Sequence, residues 1–262
     1  MKKTIVFLLV CILCAVFAVA ACAEVSQADI EEHIIGKWMM DERDGKPLLT
    51  NIKAVHTFES PAKAYISASV AAQANVTPAW DKLLEMDVAI TDNKITLTGH
   101  PDDKTTVEHA FTITSITDSE FIAEKGSRTV DGNIVNPGKE APVRFVKITE
   151  DYSDDIIGTW EGRCSSEGSV FDDGQVHRWE YKADGTYVYY VKDGDNWVPG
   201  TNTLNEYFVD GVLLCTRWID NGQENREWWE IRIEDGKMTW TALRANEDGT
   251  TYTVTFEMSK VD

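Results

Sequence analysis

Short stretches in which apolar and polar residues alternate recur along most of this chain, and they predict β-strands. The stretch closest to the C-terminus is the clearest, because one of its sides is apolar and the other carries threonines. The apolar side consists of Tyr252, Val254, Phe256 and Met258. Successive side chains of a strand point to opposite faces, so this pattern predicts a sheet with one buried face. Asp-Gly and Asn-Gly pairs between the stretches supply the positive φ of tight hairpin turns.

The chain also contains one pattern twice. Ile34-Ile35-Gly36-Lys37-Trp38 returns as Ile156-Ile157-Gly158-Thr159-Trp160, and matching the copies onward places His56 on His177. Such self-similarity predicts two tandem domains, at residues 32–150 and 154–262. The turns cut each copy into eight strands joined mostly by hairpins, which gives an antiparallel meander without helical crossovers. A meander can lie open, form a sandwich or close into a barrel, and closure removes both exposed edges. The predicted fold is therefore all-β, with two tandem eight-stranded antiparallel up-and-down β-barrels.

The N-terminus has the features of an export signal. Residues 1–21 begin with Lys2 and Lys3, continue with an apolar run and end in small residues. The sequence around Cys22 resembles the lipobox of bacterial lipoproteins, which implies lipidation of Cys22 and membrane anchoring in the cell envelope. Residues 22–31 are polar with little apolar period, which suits a short tether or a helical turn leading into the first strand. Cleavage after Ala21-Cys22-Ala23, which would release a soluble secreted or periplasmic protein, is the alternative. A retained membrane helix is less compatible, because the apolar run is shorter than the roughly 20 residues that a span needs.

The charge of the chain limits its partners. The formal net charge is −19, and a field of that sign repels phosphate backbones and anionic lipid surfaces. Nucleic acid is therefore excluded as an expected partner. A protein partner is not identified by the sequence.

The glycine and tryptophan that open each copy also carry a family resemblance. Gly36 with Trp38, and Gly158 with Trp160, resemble the Gly-x-Trp signature of lipocalins, and the whole repeat is similar to bacterial lipocalin-like domains of envelope lipoproteins. The resemblance implies lipocalin-like (calycin) barrels that are closed at one end by the tryptophan and open at the other to a small apolar molecule. Lipocalins also place a basic residue from a late strand across that tryptophan. Arg144 and Lys260 are the candidates here.

No catalytic, metal-binding or cofactor-binding constellation is visible. The two matched histidines, His56 and His177, each stand three residues before a glutamate. In a strand this spacing puts the histidine and the glutamate on opposite faces, so they cannot bind one metal together. We therefore expect no metal, no cofactor and no enzymatic activity. Cys164 and Cys215 are interpreted either as a disulfide, which export would permit, or as two separate buried thiols.

Aromatic residues are the strongest functional signal. Seven of the nine tryptophans lie in the second copy. Alternation would bring a set of side chains to one interior face of the second barrel, where polar tips orient a ligand: His177, Trp179, Tyr181, Tyr187, Tyr189 and Trp229. Arg217 is assigned to the same interior as a counter-charge for a carboxylate, because it shares a strand face with Leu213 and Cys215. Trp218 and Trp228 fall on the opposite faces of their strands.

These observations favour a non-enzymatic exported lipoprotein whose second barrel binds a small apolar or amphipathic ligand. One alternative stays open. The aromatic rings can simply fill the barrel, in which case the protein is a cell-envelope module that binds a protein or a glycan through its surface. An apolar cavity separates the two hypotheses, because only ligand binding requires one.

Overall fold

The computed structural model describes residues 24–66, 84–136, 141–166, 169 and 171–261. The described chain is all-β apart from one short helix and one 3-10 turn, Thr50–Ile52. The first barrel contains β1 Gly36–Arg43, β2 Lys46–Pro47, β3 Val55–Ser60, β4 Lys63–Ile66, β5 Leu84–Thr91, β6 Lys94–Asp102, β7 Thr105–Ile116, β8 Glu120–Val130, β9 Asn133–Asn136 and β10 Val143–Ile148. The second contains β11 Gly158–Cys164, β12 His177–Tyr181, β13 Tyr187–Asp193, β14 Asn196–Pro199, β15 Thr203–Asp210, β16 Leu213–Asp220, β17 Gln223–Glu234, β18 Lys237–Ala245 and β19 Thr251–Val261.

The first sheet closes on itself. Its antiparallel order is β10-β1-β3-β4-β5-β6-β7-β8, and β10 also pairs with β8, so eight strands form a continuous ring. The short strands β2 and β9 pair only with β1 and β8 respectively. The predicted up-and-down barrel of eight strands is therefore confirmed for the first copy.

The second sheet curls into a barrel but closes incompletely. Its order is β14-β13-β12-β11-β19-β18-β17-β16-β15. The two ends of the sheet meet at one isolated bridge between Thr186 and Glu206, and the nearby Tyr207 N–H donates to the Gly185 carbonyl at 2.8 Å. The sheet has nine strands rather than the predicted eight. The additional strand is β14, which pairs only with β13 and lies in a stretch that the sequence indicates as a loop.

A helix, α1, covers residues Gln27–His33 and belongs to the first barrel. Ser26 caps it with a capping box to Asp29, and Ile30 is fully buried in the barrel core. Of the two interpretations of residues 22–31, the helical turn applies to the second half, where the chain is packed structure rather than a tether. The predicted signal, residues 1–21, and Cys22 lie outside the described residues. Within the described part of the chain, no helix has the length and apolar character needed to cross a membrane.

The Gly-x-Trp tryptophans occupy equivalent buried positions. Trp38 and Trp160 are both fully buried. Each indole N–H donates to the carbonyl oxygen four residues earlier, Trp38 to Ile34 at 2.6 Å and Trp160 to Ile156 at 2.7 Å. Burying an indole without a partner for its N–H is unfavourable, so this bond fixes how the chain enters each barrel.

A lysine lies over each of these indoles. The Lys147 ammonium is 5.0 Å from the Trp38 ring centre, and the Lys260 ammonium is 5.2 Å from that of Trp160. Each lysine is the direct cross-strand partner of its tryptophan. The assignment of Lys260 from the sequence is right, but Arg144 is wrong, because its guanidinium instead pairs with carboxylates of β1. The two barrels therefore share a Gly-x-Trp unit with a matching lysine.

The glycine of each unit makes room for that lysine. Gly36 and Gly158 have φ of +125° and +131°, a region that L side chains rarely adopt. A β-carbon at Gly36 would lie 2.9 Å from Lys147 Cε, and one at Gly158 would lie 2.6 Å from Lys260 Cε. Both backbone conformation and space therefore require glycine.

The two histidines that the sequence aligns are not structurally equivalent. His56 lies opposite Trp38 in the β1–β3 pair, whereas Trp179 lies opposite Trp160 in the β11–β12 pair. His177 instead lies opposite Gly162. The sequence alignment is displaced by two residues along the strand, a displacement that keeps every side chain on its predicted face.

The barrels contact each other through the outer faces of their sheets. A shared apolar cluster contains Met39, Val55 and Ile148 from the first barrel with Leu213 and Cys215 from the second. Partly buried residues packed against it include Trp228, Phe208, Val146 and Val212. Cys164 belongs to the interior cluster of the second barrel, and both thiols are free and buried. The two cysteines therefore form no disulfide in this fold.

Buried polar contacts surround this interface. Lys53, whose side chain is only 6% exposed, pairs with Asp41 at 2.5 Å and with Glu230 of the second barrel at 3.0 Å. Burial alone would lower the pKa of Lys53, but the two carboxylates outweigh it and raise the pKa. The Leu243 backbone N–H donates to the Thr50 hydroxyl at 2.9 Å. These bonds fix the relative position of the barrels.

Replacing Gly158 with alanine should destabilise the second barrel by about 2–4 kcal/mol, because the new methyl group meets Lys260 and the backbone leaves its preferred region. Urea unfolding monitored by tryptophan fluorescence measures this change. The matched control is Gly222→Ala, where φ is +80° but no atom lies within 4 Å of the place that the added methyl group would take; it should cost only about 1 kcal/mol. Equal losses in the two variants would contradict the role assigned to the lysine.

Stability of the first barrel should fall as the pH drops below about 6.5. Burial lowers the pKa of His56 to about 3 and that of His109 to about 4, so both are neutral when folded and take up protons on unfolding. Their contribution is complete above the unfolded pKa of about 6.5 and is lost as the pH falls towards the folded values, with His56 losing about 2 kcal/mol by pH 5. His56→Leu should reduce the slope of unfolding free energy between pH 6.5 and 5. The control His100→Gln replaces an exposed histidine and leaves both buried imidazoles in place.

Candidate functional site

The interior of the second barrel contains a cavity of about 330 Å³. A volume of this size suits a small ligand. Nine aromatic side chains form most of its wall: Phe171, Trp179, Tyr181, Tyr187, Tyr189, Trp218, Trp229, Trp240 and Phe256. The polar part of the wall consists of Asp173, His177, Asn202, Thr216 and Glu227. Trp179 and Tyr189 are only partly buried, so the cavity is in contact with solvent.

Six of the seven residues predicted to face a ligand line this cavity: His177, Trp179, Tyr181, Tyr187, Tyr189 and Trp229. Arg217 does not, and its assignment to the interior is wrong. Its neighbours on the same strand face, Leu213 and Cys215, are buried against the first barrel rather than inside the second. Arg217 therefore points outward, where it pairs with Glu206 at 2.5 Å. The apolar pattern on this face of β16 reflects a contact surface between the barrels, not the barrel interior.

The same inversion applies to Trp218, which lines the cavity although alternation assigns it to the strand face opposite the predicted interior. Trp228 does lie on the outer face, but it packs in the interface between the barrels. The outward face of β16 and β17 is apolar because the first barrel covers it, and an isolated sequence pattern does not distinguish the two kinds of burial.

The aromatic wall is a connected set of ring contacts. Trp240 lies at the centre, with ring centres 4.8 Å from Trp179 and 5.5 Å from Trp229. Phe256 contacts Trp179 edge-on at 5.8 Å. Rings in tilted and edge-to-face contact stabilise one another, so the wall is held in place without a ligand.

His177 joins two polar groups at one side of the cavity. Its Nδ1 lies 2.8 Å from the Tyr189 hydroxyl, and its Nε2 lies 3.1 Å from Asp173 Oδ1. The Gln175 backbone N–H donates to Asp173 and, with His177, lowers the pKa of that carboxyl. Burial raises the pKa of Tyr189. This chain of hydrogen bonds orients the imidazole ring against Trp179, with the two ring centres 5.6 Å apart.

Glu227 is the second carboxylate of the wall and is more deeply placed. It accepts a hydrogen bond from Trp229 Nε1 at 3.2 Å. The Arg244 guanidinium approaches it to 3.4 Å and stacks between Phe171 and Trp229, at 4.8 and 4.7 Å from their ring centres. Burial raises the pKa of Glu227, although Arg244 and Trp229 oppose that change.

Two buried polar atoms of residues that line the cavity lack hydrogen-bond partners among the described residues. They are the hydroxyl of Tyr181, which is 1% exposed, and the indole N–H of Trp240, which is 3% exposed. Such atoms are costly to leave unpaired, and native proteins contain few of them. Both atoms therefore lie behind the surface of the wall, packed within it rather than exposed to the cavity.

Sequence reasoning missed several residues of the wall. Glu227 stands two positions before Trp229 and shares its strand face, so alternation alone would have identified it. Alternation also places Trp240 and Phe256 on buried faces, but it does not assign them to the site. Phe171, Asp173 and Asn202 lie outside the strands, where no periodic signal exists. No group of three potential metal ligands occurs among the described residues.

The unpaired hydroxyl gives a direct test of the site. Tyr181→Phe should stabilise the ligand-free protein by about 1 kcal/mol, because it removes a buried polar atom without opening a cavity. Tyr207→Phe is the matched control, since the Tyr207 hydroxyl donates to the Lys182 carbonyl at 2.8 Å; it should destabilise the protein by about 1 kcal/mol. Thermal unfolding of both variants measures the difference, and a clear loss of stability in Tyr181→Phe would show that its hydroxyl is already paired.

The function of this site is argued from its geometry and chemistry. No protein-family model matches the chain, and no curated protein is significantly similar to it in sequence.

Proposed function

We propose that this protein is a non-enzymatic carrier or receptor of a small amphipathic molecule, which binds inside the second barrel. The observation that carries the proposal is the aromatic cavity of about 330 Å³ with a few polar side chains in its wall. An apolar wall with a few well-placed polar groups is the usual composition of small-molecule sites. A barrel whose rings served only as a core would be expected to fill this space.

The first barrel provides the comparison within the same chain. Its interior rings pack against each other at the centre, with Phe121 stacked on Phe145 at 4.3 Å and Trp38 edge-on to Phe121 at 5.0 Å. His56 and Phe111 pack against the same group. In the second barrel the rings line the wall instead. The contrast supports a structural role for the first barrel and a binding role for the second.

Burial of apolar surface supplies most of the binding free energy. A ligand that loses about 250 Å² of apolar surface to the aromatic wall gains about 6 kcal/mol before the cost of association. The polar side chains of the wall, Glu227 and His177 among them, orient the ligand. Since about 6 kcal/mol corresponds to a dissociation constant of tens of micromolar, and association lowers the net gain, we expect weak binding rather than nanomolar affinity.

The cellular setting of the proposal follows from the sequence. A lipocalin-like origin is supported by the eight-stranded first barrel and by the Gly-x-Trp unit with its lysine in both copies. Lipidation of Cys22 and export to the cell envelope are supported by residues 1–21. Only four residues separate Cys22 from α1, so a lipid at Cys22 would hold the first barrel close to the membrane surface.

Native mass spectrometry of the protein purified from its own host tests the proposal. A bound small molecule should add a discrete mass that organic extraction removes. Trp179→Ala should lose this mass, because Trp179 forms part of the cavity wall. Trp197→Ala is the matched control, since Trp197 lies outside the wall and contacts Arg178 and Lys192 instead; it should retain the mass.

The opposite outcome is equally clear. A protein that carries no extra mass, and that also excludes an environment-sensitive apolar dye, would mean that the aromatic residues act only as a core. The search would then move to protein or glycan partners of the barrel surface.

A further inference from the structure

The charge of the cavity wall restricts the chemistry of the ligand. Two carboxylates, Asp173 and Glu227, line the cavity, and no lysine or arginine is found among the described residues of its wall. The expected counter-charge for an acidic ligand, Arg217, lies on the outside of the barrel. An anionic ligand would therefore be repelled, both locally and by the net charge of −19.

The aromatic rings favour a positive charge. A cation over the face of an indole or phenol ring is attracted by the ring's quadrupole, and several rings around one cation add their effects. The barrel already holds one cation in this way, because the Arg244 guanidinium stacks on Phe171 at 4.8 Å and on Trp229 at 4.7 Å from the ring centres. Both of those rings also line the cavity.

Glu227 has unused capacity for such a cation. Its contact with Arg244 spans 3.4 Å and leaves the Arg244 Nη2 without a well-formed hydrogen bond among the described residues. Its other partner is the neutral Trp229 indole. A buried carboxylate with a weakly held counter-charge is stabilised by a positive group that arrives with the ligand.

We propose that the cavity selects a small organic cation, a protonated amine or a quaternary ammonium compound, which is held between the aromatic wall and Glu227. This inference rests on the proposed binding function and specifies its ligand class. Asp173 provides the second negative charge, which lies at the His177 side of the cavity and attracts the cation electrostatically.

Competition between isosteric ligands tests the charge requirement. Phenyltrimethylammonium and tert-butylbenzene have the same shape and differ in a positive nitrogen against a neutral carbon, and benzoate provides an anion of similar size. Each is titrated against the protein carrying a bound apolar dye, with displacement of the dye as the readout. We expect the cation to displace the dye at a concentration at least about threefold lower than its neutral isostere, and benzoate to be the weakest.

Substitution of the carboxylate assigns the preference to a residue. Glu227→Gln should weaken binding of phenyltrimethylammonium about tenfold and leave tert-butylbenzene within about twofold, which reverses the order of the two ligands. Glu180→Gln is the matched control, because Glu180 lies between the cavity residues Trp179 and Tyr181 but on the opposite strand face, where it accepts a hydrogen bond from the Tyr190 hydroxyl. Asp173→Asn provides a second variant outside the strands, and it should weaken cation binding about threefold.

The outcomes separate this inference from the function on which it rests. Equal displacement by the cation and its neutral isostere, or an unchanged cation preference in both Glu227→Gln and Asp173→Asn, would overturn the cation assignment while leaving ligand binding intact. A protein that binds neither the dye nor any of the three compounds, and carries no extractable mass, would overturn both.

Discussion

Each barrel depends on one buried tryptophan, whose indole N–H has a hydrogen-bond acceptor and whose ring is packed in the core. The N–H of Trp38 or Trp160 finds its acceptor four residues earlier in the chain, which sets the direction of the first strand. One ring face receives a lysine from the last strand, and this contact joins the first and last long strands of each barrel. The lysine in turn excludes any side chain at the preceding glycine. Residues from the start and the end of each copy therefore close the barrel end as one unit.

Both barrels contain this unit, but they differ in how completely they close and in how their interior rings pack. The interface between the barrels makes that difference possible. The first barrel closes completely and packs its rings at the centre. In the second barrel the edges of the sheet are joined by a single bridge, and the aromatic rings lie along the wall of the cavity. An open, partly hollow barrel loses packing energy, and the apolar cluster with the Lys53 contacts to Asp41 and Glu230 offsets part of that loss.

The fold and most of the aromatic wall could be predicted because both depend on alternation, which is a local pattern. Alternation indicates the strands and places His177, Trp179 and Tyr181 on the inner face. It fails for Arg217 because the outer face of β16 is also buried, and only the position of the first barrel reveals this. It fails for Asp173 because that residue lies in a loop, where contacts depend on the path of the chain rather than on a repeat. The contact of Lys147 with Trp38 could not be predicted, because residue spacing does not reveal which residues are paired across two strands.

The shared closing unit also bears on how the chain arose. Two copies that contain the same glycine, tryptophan and lysine are the expected product of a gene duplication. A packed neighbour gives the second copy a margin of stability, and that margin lets mutations in its wall persist when they would unfold an isolated barrel. The wall of the second barrel should therefore vary faster between related chains than the closing unit of either barrel does.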